Sequence, residues 1–113
     1  MCQSTPLRRR LHIAAGADAD GQELPCMGVN GAWVAGCFQI GGTVTTAVIY
    51  FEGTVDGSTW VAIECVSVGS SATVATSASA AGIWRFNCMG LTAVRARLDW
   101  TAGSINVWGT LVA

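Results

Sequence analysis

Residues 48–63, VIYFEGTVDGSTWVAI, constrain the fold more than any other stretch of the chain. Val48, Ile49, Tyr50 and Phe51 are β-branched or aromatic and suit a pleated, packed surface. Asp56-Gly57 is a turn signal, because Gly57 takes φ > 0 without steric cost and Asp56 can accept from the backbone two residues on. Trp60, Val61, Ala62 and Ile63 then lead back, so the stretch predicts one β-hairpin. In the leading strand, residues 44–53, Val48 and Tyr50 share one face and Ile49 and Phe51 the other. A strand apolar on both faces lies centrally in a sandwich or is covered by a partner.

The remaining strands follow from the same signals. WVAGCFQI, residues 33–40, is a strand in which Gly36 marks a bulge or a close backbone approach, and Gly41-Gly42 breaks it. Residues 59–68 form a long return strand, ended by Gly69-Ser70-Ser71. A weak strand at 72–76, a small-residue loop at 77–82 and a strand at 83–88 come next. TAVRARLDW, residues 92–100, alternates: Val94, Ala96, Leu98 and Trp100 share one face, and Ala93, Arg95, Arg97 and Asp99 the other. Residues 101–104 read as a four-residue hairpin loop, and 105–112 as the last strand. No helical stripe is present. The pattern predicts an all-β fold, an antiparallel β-sandwich of jelly-roll or Greek-key type, over residues 32–113.

Residues 1–31 differ. They hold both prolines, Pro6 and Pro25, the one histidine, His12, and the Arg8-Arg9-Arg10 cluster. They predict an extended N-terminal arm with at most a short strand near residues 11–14. The arm is either a disordered tail or a segment that orders on a neighbouring subunit. Because the arm has no core of its own, deleting residues 1–24 should leave the sandwich folded.

The length of 113 residues suits one domain that buries a core without metal or disulfide staples. Only 12% of residues are charged, about half the usual fraction, and there is no lysine. Either copies of the chain or a partner cover much of the surface, or the surface is neutral and rich in Ser, Thr and Gly. A formal net charge of −1 provides no global basic field for nucleic acid. No apolar run is long enough to span a membrane, and no apolar region follows the arginines as in a secretory signal. The five cysteines are odd in number and form no CxxC pair, which argues against a disulfide framework or a zinc site. Cys37, Cys65 and Cys88 lie in apolar strand patterns and pack as small hydrophobes, in keeping with a reducing cytoplasm.

Candidate chemistry is sparse. A Ser-His-Asp or Cys-His site would have to borrow His12 from the arm. Glu52, Asp56, Glu64 and Asp99 are the carboxylates from which a glycosidase pair would come, and solvation or pairing with arginine explains them equally. Asp56-Gly57-Ser58 has one feature of a calcium loop but lacks further carboxylates. No enzyme, cofactor or metal is expected. Arg95 and Arg97 with Arg85 form either a basic strip or salt bridges to Glu52, Glu64 or Asp99. Of the five tryptophans, Trp60, Trp84 and Trp100 are expected in the core. Trp33 and Trp108 fit a sugar-stacking platform, the core or a subunit interface.

The ordered motifs GAWVAG (31–36), YFEGTVDGSTWVAI (50–63), GIWRFNCMGLTAVRARL (82–98) and TAGSINV (101–107) resemble those of a group of small tailed-phage virion structural proteins. In that group a FEGS-DG-TW hairpin precedes a G-W-F-V-GL-VRVR stretch and a TSGSV-V end. The resemblance covers roughly residues 31–112 and excludes the arginine-bearing arm. Thr54 stands where Ser is usual, and Gly41-Gly42 interrupts the strand of Cys37. The resemblance implies a capsid decoration (cement) protein on the virion surface, assembled in the host cytoplasm. Such a protein would be a homo-oligomer, expected to be a trimer, bound to the major capsid protein. A second implied function is a carbohydrate-binding module of a tail fibre or baseplate, with exposed Trp and Asp56 reading host glycan. Candidate partner-binding residues are Arg8, Arg9 and Arg10, whose forks suit carboxylates in a partly desolvated joint, together with Trp33, Tyr50 and Trp108.

Overall fold

Two strands of twenty residues each, Ala35–Thr54 and Ala93–Val112, run side by side through the whole molecule. The computed structural model describes residues 7–28, 31–32, 35–69 and 73–112. Among the described residues all regular structure is β: β1 Leu7–Ala15, β2 Leu24–Pro25, β3 Met27–Gly28, β4 Gly31–Ala32, β5 Ala35–Thr54, β6 Val61–Ala62, β7 Cys65–Ser67, β8 Val74–Ala75, β9 Ser77–Ala78, β10 Gly82–Asn87 and β11 Ala93–Val112. One antiparallel sheet runs β1-β11-β5-β10-β7-β8, with β2 added on β11 and β6 and β9 on β5. It curls on itself into a sandwich.

Gly41-Gly42 and residues 101–104 bend strands where the sequence suggested that they end them. They lie at one bend of the β5–β11 ladder, where Ser104 pairs with Thr43, Ile105 with Gly42 and Asn106 with Gly41. Trp100 pairs with Ala47, Ala102 with Thr46, and Gly103 with Val44. Each strand therefore carries one extra residue, Thr45 on β5 and Thr101 on β11, and the register after the bend is the register before it. The two bulges invert the alternation of both strands at once. On β5 the inward residues change from Phe38 and Ile40 to Ala47, Ile49 and Phe51; on β11 they change from Val94, Ala96 and Leu98 to Ile105, Val107 and Leu111. The ribbon thus bends while keeping one face inward along its length. Gly42 sits at φ 88°, and a Cβ there would lie 2.3 Å from the Ser104 carbonyl oxygen. The bend requires glycine at that position.

The first layer holds β1, the end of β11, the start of β5, β10, β7 and β8; the second holds β2, the start of β11 and the end of β5 with β6 and β9. Between them Phe38 packs on Phe51 and Phe86, with ring centres 5.3 and 4.6 Å apart. Trp84 and Trp100 pack against this core, and Cys26, Cys65 and Cys88 are buried in it.

The hairpin at Asp56-Gly57 forms, but its return strand is short. Only Val61 and Ala62 pair with Gly53 and Glu52; Cys65 to Ser67 leave for β10 and β8. The place beside Ile49 and Tyr50 goes to Ala78 and Ser77. Trp60 is correspondingly not a core residue: it lies half-buried outside, under the guanidinium of Arg95 at 4.2 Å.

The described part of residues 1–31 is bound into the sandwich and does not stand off as an arm. β1 pairs along β11 from Leu7–Leu111 to Ala15–Ile105. Leu11, Leu24 and Cys26 are buried in the common core. Residues between them are pinned by Gln22 N–H to the Leu11 carbonyl, a two-way bridge between Ala19 and Leu98, and Cys26 N–H to the Thr92 carbonyl. The sequence hid this because register shifts between Arg10 and His12 and between His12 and Ala15 erase the alternation that identifies a strand.

Candidate partner-binding faces

Strand pairing assembles the first outward face from four segments distant in sequence. β1 sets Arg10 opposite Trp108 and Arg8 opposite Thr110. β5 sets Gln39 opposite Trp108 and Cys37 opposite Thr110. β10 sets Ile83 opposite Gln39 and Arg85 opposite Cys37. Residues directly opposite in an antiparallel ladder share a face. Because Phe38, Phe86 and Val107 point into the core, these eight point out. They form two rows, Arg10–Trp108–Gln39–Ile83 and Arg8–Thr110–Cys37–Arg85. The guanidinium groups of Arg10 and Arg8 lie 4.4 and 5.8 Å from the centre of the Trp108 ring. Each such contact contributes about 0.5–1 kcal/mol at an exposed site and holds the charge in place. A groove of about 440 Å³ runs between Arg8, Trp108, Thr110, Cys37, Gln39 and Ile83. Burial pushes the Cys37 thiol up, and the nearby Arg85 charge opposes this more weakly.

Arg9 is not part of that face. It pairs with the inward Gly109, and its Nη1 donates to the Glu23 carbonyl at 2.9 Å, tying the 16–23 loop to β1.

The second layer carries a different outward face. Glu52 on β5 sits between Arg95 and Arg97 of β11, accepting from the two Nε atoms at 2.9 and 3.2 Å. Glu52 and Arg95 are only 13% and 14% exposed, and Arg95 also reaches Asp20 at 3.6 Å. Of the two readings of these arginines the salt bridge holds, with Glu52 as its centre, while Arg85 lies on the other layer. Tyr50 lies here under Arg97, 4.5 Å from its ring centre.

Of the six candidate partner-binding residues the structure brings together Arg8, Arg10 and Trp108, places Arg9 and Tyr50 elsewhere, and leaves Trp33 outside the described residues. Trp108, Trp60 and Tyr50 each have a guanidinium over the ring. The position a stacked sugar would take is filled on that side by the protein's own arginines. Arg85 is the charged member of the first face that the sequence grouped instead with Arg95 and Arg97. Its alternation with Trp84 and Phe86 marks it as outward, but nothing local places β1 three strands away.

The other candidate groups serve the fold. One carboxylate oxygen of Asp56 accepts from Ser58 N–H at 2.8 Å, Thr59 N–H at 2.7 Å and the Thr54 hydroxyl at 3.0 Å. These bonds hold its carboxyl below the ordinary carboxylate range, the backbone donors having the largest effect. His12 belongs to the folded part: it is buried, and its Nε2 lies 2.6 Å from the Ala96 carbonyl oxygen. Among the described residues no group of three or more His, Cys, Asp or Glu side chains gathers to hold a metal ion.

No protein-family model matches the chain, and no curated protein matches it. Two solved structures share its fold. PBSX exported protein XepA superposes with a TM-score of 0.87 at 22% identity, over 96% of this chain and 38% of that one. This chain therefore spans little more than a third of XepA. SPBc2 prophage-derived protein YomS superposes with a TM-score of 0.82 at 20% identity, over 100% of this chain and 99% of that one. At these identities the likeness is one of fold.

Proposed function

We propose that the chain is a structural subunit of a tailed-phage particle and, within that class, a capsid decoration protein that attaches in several copies to the head lattice. The observation that carries this reading is the end-to-end fold match with a prophage-derived protein. The motif resemblance to tailed-phage virion proteins points the same way. The outward faces suit such a role: arginine forks held over aromatic rings offer charge and apolar area together, a combination enriched at protein interfaces. The reading implies no chemical reaction. Attachment would follow from surface complementarity, with arginines of the first face meeting carboxylates of the major capsid protein as water leaves the joint.

The test is localisation in purified particles by protein mass spectrometry and electron cryo-microscopy. Density for this fold repeated over the head surface supports the proposal. Density confined to the tail or fibres removes the capsid assignment and retains the virion one. Absence from particles made in cells that express the protein removes both.

A further inference from the structure

The charges of this chain are segregated. All six arginines and seven carboxylates lie among the described residues. Arg95 and Arg97 bind Glu52, and Arg9 binds a backbone carbonyl. The three that have no carboxylate partner, Arg8, Arg10 and Arg85, all lie on the outward face of the first layer, whose two rows of four residues include no carboxylate. A chain of net charge −1 thus carries three positive charges on one face and a net of four negative charges elsewhere. Three of those carboxylates, Asp18, Asp20 and Asp99, rim one groove of about 390 Å³ along β11; Arg97 also lines it, its charge met by Glu52, and Asp20 reaches Arg95 at 3.6 Å. The Asp18 carboxylate accepts the Trp100 N–H at 2.6 Å, which fixes the rim in position. Asp99 points outward from the second layer, and the arginine face outward from the first. Both layers turn their inner faces to one core, so the two surfaces face in opposite directions.

We infer that these surfaces are complementary, and that the Arg8–Arg10–Arg85 face of one copy docks on the Asp18–Asp20–Asp99 rim of the next. The contact is head to tail. It uses two different surfaces of each copy, so it closes into a ring if the rotation per copy allows and otherwise extends as a filament. The bidentate fork of arginine matches a carboxylate, and Trp108 and Ile83 supply apolar area that the joint would desolvate. The inference deepens the reading as a repeated particle subunit and specifies the contact between copies.

The experiment is solution mass by sedimentation and light scattering for the full chain and two sets of variants, with circular dichroism to confirm folding. One set reverses the arginine face (Arg10→Glu with Arg85→Glu). The other reverses the rim (Asp20→Arg with Asp99→Arg, and Asp99→Arg alone in case loss of the Asp20 contact to Arg95 disturbs the fold). The unaltered protein should associate at low salt and bind about tenfold more weakly at 0.5 M salt. Each variant alone should be monomeric. An equal mixture should associate again, because the intact face of one variant meets the intact rim of the other, and the two reversed surfaces, now an acidic face and a basic rim, complement each other in turn. A monomeric unaltered protein at low salt, variants that associate like it, or a mixture that stays monomeric overturns the inference. A monomer that still decorates particles would remove this contact and leave the proposed function standing. A head-to-tail oligomer absent from particles would do the reverse.

Discussion

The rings of Phe38 and Phe51 stack nearly parallel, 5.3 Å apart with 6° between their planes, although both belong to β5. In an unbent strand the thirteen residue steps from one to the other would span about 43 Å. The contact exists because the ribbon bends at Gly41-Gly42, and it ties one layer to the other. Both rings are fully buried. Phe38→Ala or Phe51→Ala should each cost about 3–5 kcal/mol in denaturant unfolding. Trp60→Ala, which removes a half-exposed ring under Arg95, should cost only about 1 kcal/mol. A larger loss at Trp60 than at Phe51 would contradict this account of the core.

Removing residues 1–15 should unfold the domain. The deletion takes away β1, the buried Leu11 and the His12 contact to Ala96, and it exposes Val107 and Leu111 on β11. His12→Ala alone leaves a buried carbonyl without its partner and should cost about 1–3 kcal/mol. Circular dichroism and amide hydrogen exchange of the truncated chain check this. A truncated protein with native exchange protection in β11 would show that the segment is dispensable after all.

Glu52→Gln should destabilise by about 2–3 kcal/mol, because Arg95 and Arg97 would keep their charges in a partly desolvated place. A double-mutant cycle should give a stronger coupling of Glu52 to Arg95 than to Arg97. Arg95 is 14% exposed against 37% for Arg97, so water screens its pair less. Equal couplings would show that burial does not set the strength of this network.

Gly36→Ala should cost more than about 3 kcal/mol, and Gly41→Ala close to nothing. At Gly36 a Cβ would lie 2.0 Å from the Thr110 carbonyl oxygen and 2.7 Å from the Phe86 ring; at Gly41 it meets nothing within 4 Å. Thermal unfolding of the two variants distinguishes the close approach from the open position.

Stability should fall as pH rises above about 9. Burial pushes the Cys26 and Cys65 thiols from 9.0 up to about 12. A folded-state value raised above the unfolded one contributes stability that is fully present below pH 9.0 and is lost between there and about 12. Melting temperature across this range, compared with Cys26→Ala and Cys65→Ala, tests it; an unchanged alkaline slope in both variants would exclude the thiols as its cause. In the native state at pH 8 both thiols should also resist alkylation.

Local chemistry determined several features of this protein. Asp56-Gly57 makes a turn because one carboxylate satisfies two backbone donors and a glycine takes the positive φ. The alternation of residues 93–98 sends Val94, Ala96 and Leu98 inward whichever strands lie alongside. The all-β class follows from the same short-range preferences. Tertiary structure decided whether Gly41-Gly42 and residues 101–104 turn the chain or bend it. A glycine at positive φ suits both outcomes, and the choice fell to ladder partners some sixty residues away, which hold both breaks inside one continuous ribbon. Tertiary structure also drew residues 7–28 into the core. Its bulges hide the strand period from any local reading, and only β11 offers the edge on which Leu11 and His12 find cover. The arginine face has the same origin. Arg85 is distant in sequence from Arg8 and Arg10, and cross-strand register alone sets the three on one surface.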